Sequence, residues 1–190
     1  MEVFLIRHTS PAVEKGTCYG QSDIPVADSF AEEFAQLRLH IPGQFGKVYT
    51  SPLQRCSKLA LKLSSSPNII YDKRLMELNF GTWEGKKWDD LSGPELDRWM
   101  KDFVTMPVPG GENFEMLYNR TKSFYDELMR SDDKQVGVVC HAGVIRAFLA
   151  IVLEMPLRNA FKIPVNYASV TKIQLNAETC YSSLEFLNRV

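Results

Sequence analysis

Two stretches, Val3 to Ile6 and Gln135 to Cys140, are short, nearly continuous apolar runs rich in β-branched residues. That is the pattern of strands covered on both faces. Each ends on a charged or polar group, Arg7-His8 in the first and His141 in the second. Lys47 to Thr50 and Asn68 to Tyr71 are shorter β-prone runs, while Ala168 to Leu175 and Cys180 to Leu187 alternate and are parted by Asn176-Ala177-Glu178, which predicts a hairpin or edge pairing. Between them the spacing turns helical. Ala27 to Leu39 places Phe30, Phe34 and Leu37 on one face behind Asp28 as a candidate N-cap, with Glu32 and Glu33 near the positive end. Ser51-Pro52 predicts a cap and first helical residue for a helix running to Leu63, with Leu53, Leu59, Ala60 and Leu63 inward. Further helices are expected over Leu91 to Phe103 with Ser92 as cap, over Glu112 to Met129, and over Ala142 to Leu153.

Breakers fall between these elements. Pro11, Gly16, Gly20 and Pro25 make the segment after His8 a loop suited to binding, Asp72 to Gly85 reads as irregular, and Met106 to Gly111 is a clear break. Strands alternating with helices predict an α/β fold, a three-layer α/β/α sandwich around a mostly parallel sheet. At 190 residues the chain suits one domain spanning 1–190.

Composition narrows the function. With 22 Lys and Arg against 23 Asp and Glu, no global charge draws the chain to nucleic acid or anionic lipid, so any anion site must be local. Cys18, Cys56, Cys140 and Cys180 have neither zinc-finger nor C-x-x-C spacing, which predicts reduced thiols. No leader pattern is evident, and the apolar run from Val144 to Met155 falls short of the ~20 residues that span a bilayer. A cytoplasmic location is expected, with no membrane partner.

Three segments share one form: a buried strand, then a polar residue of a particular kind, then a helix. They are Leu5-Ile6-Arg7-His8, Val48-Tyr49-Thr50-Ser51-Pro52-Leu53-Gln54-Arg55, and Val138-Val139-Cys140-His141-Ala142-Gly143. Parallel strands carry their carboxyl ends to one edge of the sheet, so two histidines and two arginines should face one cleft. Arginine offers a planar fork matched to phosphate oxygens, and Arg55 in the first turn of its helix adds that helix's positive end. Gly143 would let the backbone approach a ligand closely. No spaced carboxylate cluster of the magnesium type is present, so neither metal nor cofactor is expected.

Arg7-His8-Thr9, Ser51-Pro52-Leu53-Gln54-Arg55-Cys56, Glu77-Leu78-Asn79-Phe80-Gly81-Thr82-Trp83-Glu84-Gly85 and Cys140-His141-Ala142-Gly143-Val144-Ile145-Arg146 together resemble the signatures of the histidine phosphatase superfamily, in its phosphoglycerate mutase-like branch. That resemblance implies a phosphoglycerate mutase-like fold and a two-step transfer through a phosphohistidine. His8 would be the nucleophile, Arg7, Arg55 and His141 would hold the phosphoryl oxygens, with His141 a catalytic group as well, and Glu77 would serve as acid and then base. Glu77 answering Arg74 across a turn is the competing reading. Cys18-Tyr19-Gly20-Gln21-Ser22-Asp23-Ile24-Pro25 is similar to the loop of α-ribazole phosphatases, where Gly20 and Gln21 would meet substrate; a polar turn without a substrate role is the alternative. Pro109-Gly110-Gly111-Glu112-Asn113 resembles the family's Gly-Gly-Glu segment at the active-site rim, or else marks a helix start.

Where many mutases carry Arg-His-Gly-Glu-Thr and then Trp-Asn, this chain has Arg7-His8-Thr9-Ser10-Pro11 and then Val13-Glu14. A carboxylate at Glu14 would repel a second phosphate, and the chain has little room for the mutases' long insertions, which favours hydrolysis. The expected activity is a metal-independent phosphomonoesterase on a small-molecule ester, with α-ribazole 5'-phosphate as the candidate. A phosphoglycerate mutase, a broad sugar-phosphate phosphatase and a non-catalytic phospho-ligand module are the alternatives. A homodimer is left open, because a dimerising helix face reads no differently from one packed on the sheet.

Overall fold

The computed structural model describes residues 1–64, 67–176 and 181–190. Six strands form one sheet: β1 (Glu2–Arg7), β2 (Val48–Thr50), β3 (Ile69–Tyr71), β4 (Gln135–Cys140), β5 (Val170–Gln174) and β6 (Ser183–Arg189), in the spatial order β3-β2-β4-β1-β5-β6. β3, β2, β4 and β1 run parallel, and β5 and β6 add antiparallel pairings at one edge. Among the described residues there are five α-helices: α1 (Phe30–Leu37), α2 (Gln54–Leu63), α3 (Pro94–Lys101), α4 (Phe114–Leu128) and α5 (Ala142–Val152).

The unbroken apolar run of β1 is explained by two cores. Val3 and Leu5 pack with Val136 and Val138 beneath α4 and α5, while Phe4 and Ile6 pack with Val48, Val139 and Val170 beneath α1 and α2. Because successive strand residues point to opposite faces, a strand between two helical layers has no solvent side to keep polar. Each fully buried Leu, Val or Phe contributes about 1.5–3 kcal/mol, so these strands anchor the sheet. Gly137 makes room for Phe45, whose ring would lie 3.0 Å from a Cβ at that position.

Several element ends differ from the sequence expectation, and at α1 and α2 a distant partner takes a group that local pattern assigned elsewhere. α2 starts at Gln54 rather than Pro52. Its first N–H donates to Asp23 Oδ1 at 2.7 Å, and the expected cap, Ser51, has its hydroxyl 2.9 Å from His141 Nε2. α1 starts at Phe30, not Ala27, because the Ala27 N–H is drawn to the Ser10 carbonyl. Asp28 is not its cap residue; Ser29 stands there, and its hydroxyl donates to Glu33. α3 is shorter than expected and follows Gly93, at φ 100°, instead of Ser92. α4 is capped by Asn113, whose Oδ1 accepts from the Met116 N–H at 2.8 Å, so Glu112 stays outside the helix. The segment from Asp72 to Gly85 contains two short 3₁₀ turns, and a further one, Leu157–Lys162, carries no clear local signal. Cys180 and most of the expected hairpin turn lie outside the described residues.

Candidate active site

Strand register decides what meets at the sheet's carboxyl edge. Arg7 lies opposite Cys140 in the β1–β4 ladder, so the next residues, His8 and His141, leave the sheet side by side. Their ring centroids are 5.0 Å apart. Both are buried, at 2% and 0% exposure. His8 Nδ1 lies 2.7 Å from the Thr9 carbonyl oxygen. A carbonyl can only accept, so the proton sits on Nδ1 and the lone pair on Nε2. Burial, and then the charges of Arg55 and Arg7, hold the His8 imidazole well below the ordinary histidine range. Burial likewise depresses His141, helped by its neighbours His8, Arg55 and Arg7. Cys56 Sγ packs 3.4 Å from His141 Nε2.

The two arginines come from different elements. Arg7, the last residue of β1, donates from Nη1 to the Val165 carbonyl and stacks 3.8 Å from the Tyr167 ring centroid. Arg55, in the first turn of α2, is fully buried and donates to the carbonyls of Ser22 at 2.8 Å and Gly20 at 2.6 Å. The Nε of each is buried and has no hydrogen-bond partner among the described residues. Among the described residues neither guanidinium forms an ion pair, whereas Arg74 and Arg120 both do. Buried positive charge without a carboxylate is costly, and an anion relieves it.

Glu77 reaches the same place from an irregular loop. Its Oε2 accepts from the Gly143 N–H at 3.1 Å, in the first turn of α5, and its Oε1 accepts from the Leu78 N–H at 2.9 Å. The competing pairing with Arg74 does not form: Arg74 binds Asp72 and Glu127. Gly143 is therefore a glycine for the sake of a carboxylate, since a Cβ there would stand 2.2 Å from Glu77 Oε1. Gly20 is also required by close approach, with its Cβ position 2.0 Å from the Leu78 carbonyl oxygen. Gln21 donates from Nε2 to the Glu77 carbonyl at 3.0 Å.

A cleft of about 530 Å³ opens over this cluster, lined by Arg7, His8, Glu77, Arg146 and the aromatic rings of Tyr19, Phe80, Trp88 and Tyr167. Arg55 and His141 are not on its lining but lie buried close to His8, and Gly20, Gln21 and Gly143 are likewise off the lining. Glu14 sits at the rim with Lys87 as its ion-pair partner, so part of the repulsion expected of it is offset.

Sequence reasoning missed several groups. Tyr19 and Tyr167 are joined hydroxyl to hydroxyl across 148 positions of chain. Glu84 gathers the backbone N–H groups of Gln21, Ser22 and Phe80. Arg146, which stood in a recognised motif without a role, donates from Nε to the Ile163 carbonyl at 3.1 Å and reaches the cleft. Arg146, Glu84 and Tyr19 had a local signal, their place inside a motif, whereas Tyr167 had none. Among the described residues no group of three or more His, Cys, Asp or Glu side chains is placed to hold a metal ion, and no helix is long and apolar enough to cross a membrane.

Residues 3–187 match the family model of the histidine phosphatase superfamily, branch 1. A protein of Hydrogenobacter thermophilus provisionally named phosphoserine phosphatase 2 is 28% identical over 201 residues, which covers 99% of this chain and 95% of that one. The adenosylcobalamin/α-ribazole phosphatase of Salmonella typhimurium is 26% identical over 186 residues, covering 92% and 91%. Among solved structures, the α-ribazole phosphatase of Shigella flexneri superposes with a TM-score of 0.89 at 23% identity over 99% of this chain and 96% of that one. This likeness places the α/β sandwich with the phosphoglycerate mutase-like folds.

Proposed function

The chain belongs to the histidine phosphatase superfamily and is a phosphoric monoester hydrolase, and from that premise we propose that it cleaves a small phosphate ester through a phosphohistidine on His8. The observation that carries the reading is the buried His8 imidazole, beside two arginines that among the described residues have no carboxylate partner. In the first step the His8 Nε2 lone pair forms a bond to phosphorus in line with the ester oxygen. The P–O bond breaks, and the proton of Glu77 passes to the departing oxygen. The Thr9 carbonyl, accepting from Nδ1–H, stabilises the positive charge that the ring gains. Arg7, Arg55 and His141 hold the equatorial oxygens as charge spreads in the transition state. In the second step Glu77 takes a proton from water, the water oxygen bonds to phosphorus, and the N–P bond breaks to return neutral His8 and inorganic phosphate.

We further read the ester as α-ribazole 5'-phosphate. The rings of Phe80, Trp88, Tyr19 and Tyr167 on the cleft suit an aromatic base, and the Salmonella relative bears that name. Phosphoserine is the second reading, favoured by Arg146 on the cleft as a partner for a carboxylate and by the Hydrogenobacter relative. Phosphate release from α-ribazole 5'-phosphate, phosphoserine and 3-phosphoglycerate, measured with EDTA present, separates these. A kcat/KM for α-ribazole 5'-phosphate below that for phosphoserine would overturn the first, and isomerisation of 3-phosphoglycerate without phosphate release would overturn hydrolysis. His8→Ala should lose turnover on every ester while still binding inorganic phosphate. Parent-rate hydrolysis of p-nitrophenyl phosphate by that variant refutes the mechanism.

A further inference from the structure

The Gly-Gly-Glu segment, expected at the cleft rim, is not on the cleft lining. It lies against the loop that carries Glu77. The Glu112 N–H donates to the Asn79 carbonyl at 2.9 Å, and Glu112 Oε2 accepts from the Asn79 N–H at 3.0 Å. The two backbones are packed so closely that a Cβ at Gly81 would stand 2.2 Å from the Pro109 carbonyl oxygen, and one at Gly111 2.3 Å from that of Asn79. Arg120, from the middle of α4, closes the arrangement. Its Nε and Nη2 grip Glu112 at 3.0 and 2.9 Å, its Nη1 donates to the carbonyls of Arg74 and Met76, and its Nη2 donates to the carbonyl of Glu77 itself at 2.9 Å.

We propose that Arg120 is a positioning residue for Glu77, acting with Glu112 as a bracket that fixes the loop from Arg74 to Asn79 and so sets where the Glu77 carboxyl stands. The inference rests on the reading of Glu77 as the acid and base. Arg120 does not line the cleft and reaches Glu77 only at its backbone, so it touches no reacting atom. Its bonds nonetheless fall on both sides of the acid, directly on residues 74, 76 and 77 and through Glu112 on 79. With Gly143 and Leu78 fixing the carboxylate oxygens, the bracket fixes the backbone from which that side chain extends. Lysine cannot replace it, because one ammonium cannot reproduce a fork bound to a carboxylate on one side and three carbonyls on the other.

The test compares leaving groups. An alkyl phosphate needs its departing oxygen protonated, whereas p-nitrophenyl phosphate does so far less. Arg120→Lys should lower kcat on an alkyl phosphate about 10²-fold, the scale of a 1 Å misplacement. On p-nitrophenyl phosphate it should give a burst of one p-nitrophenolate per active site and then slow turnover, because the same carboxyl must activate water in the second step. Glu77→Gln, run alongside, should give the same pattern. If Glu77→Gln leaves the alkyl-to-aryl ratio of kcat/KM at the parent value, the reading of Glu77 falls first. If Glu77→Gln shows the pattern and Arg120→Lys lowers kcat/KM equally on both esters with a reduced burst, Arg120 is merely structural and the proposal is overturned. Should Arg120→Lys fail to fold, Glu112→Gln, which keeps one acceptor oxygen, undergoes the same comparison and decides it by the same two outcomes.

Discussion

Replacing Gly143 by alanine tests the site with the smallest perturbation the fold permits. The added methyl would stand 2.2 Å from Glu77 Oε1 and 3.2 Å from Leu117 Cδ2, and an ordinary contact begins at 3.4 Å. Leu117 has only to yield a few tenths of an ångström, but the carboxylate must retreat by about 1.2 Å. That retreat breaks the 3.1 Å bond from the Gly143 N–H, a hydrogen bond of the kind that contributes about 0.5–1.5 kcal/mol. It also moves the proton donor off line by an amount that costs about 10²-fold in rate. Stability should change little, because alanine in a helix is favoured over glycine by about 1 kcal/mol, which offsets part of the lost bond. The assay is kcat on an alkyl phosphate together with the thermal midpoint. A hundredfold fall in kcat at a nearly constant Tm is the expected result. A kcat within threefold of the parent at unchanged Tm would refute the reasoning, because the carboxyl would then work equally well from a displaced position.

Two further outcomes follow from the same geometry. His8 and His141 have pKa values depressed well below 6.5 by burial and by the arginine charges, so between that value and the folded-state pKa the unfolded chain binds more protons than the folded one. Their contribution to stability is therefore complete above pH 6.5 and is lost as pH falls below it. The ring resonances of both histidines should keep their neutral positions by NMR as pH falls through 6.5, and a titration midpoint for His8 near 6.5 would show that the burial and charge argument fails. Arg55→Lys should leave the Ser22 and Gly20 carbonyls short of donors, costing about 1–3 kcal/mol in urea denaturation, and should weaken competitive inhibition by inorganic phosphate at least tenfold. Parent values in both measurements would remove Arg55 from the anion site.

Local pattern was enough to set the layers and the end of the sheet where chemistry would gather. β1 and β4 were legible because a strand between two helical layers must be apolar at consecutive positions, and Arg7-His8 and His141 stand out because such a run ends on them. The antiparallel edge and the cores of α4 and α5 followed from periodicity in the same way. Which polar group answers which was settled by packing in three dimensions. Asp23, not Ser51, caps α2; Arg74 turns to Asp72 and Glu127 and leaves Glu77 to the Gly143 amide; Arg120 and Glu112 lock a loop more than thirty residues upstream of them; and Tyr19 finds Tyr167 across the chain. Hydrophobic periodicity reports which face of an element leaves water, and that is fixed by covalent spacing. A buried donor or acceptor must find its complement wherever packing brings one, and covalent spacing carries no record of that distance.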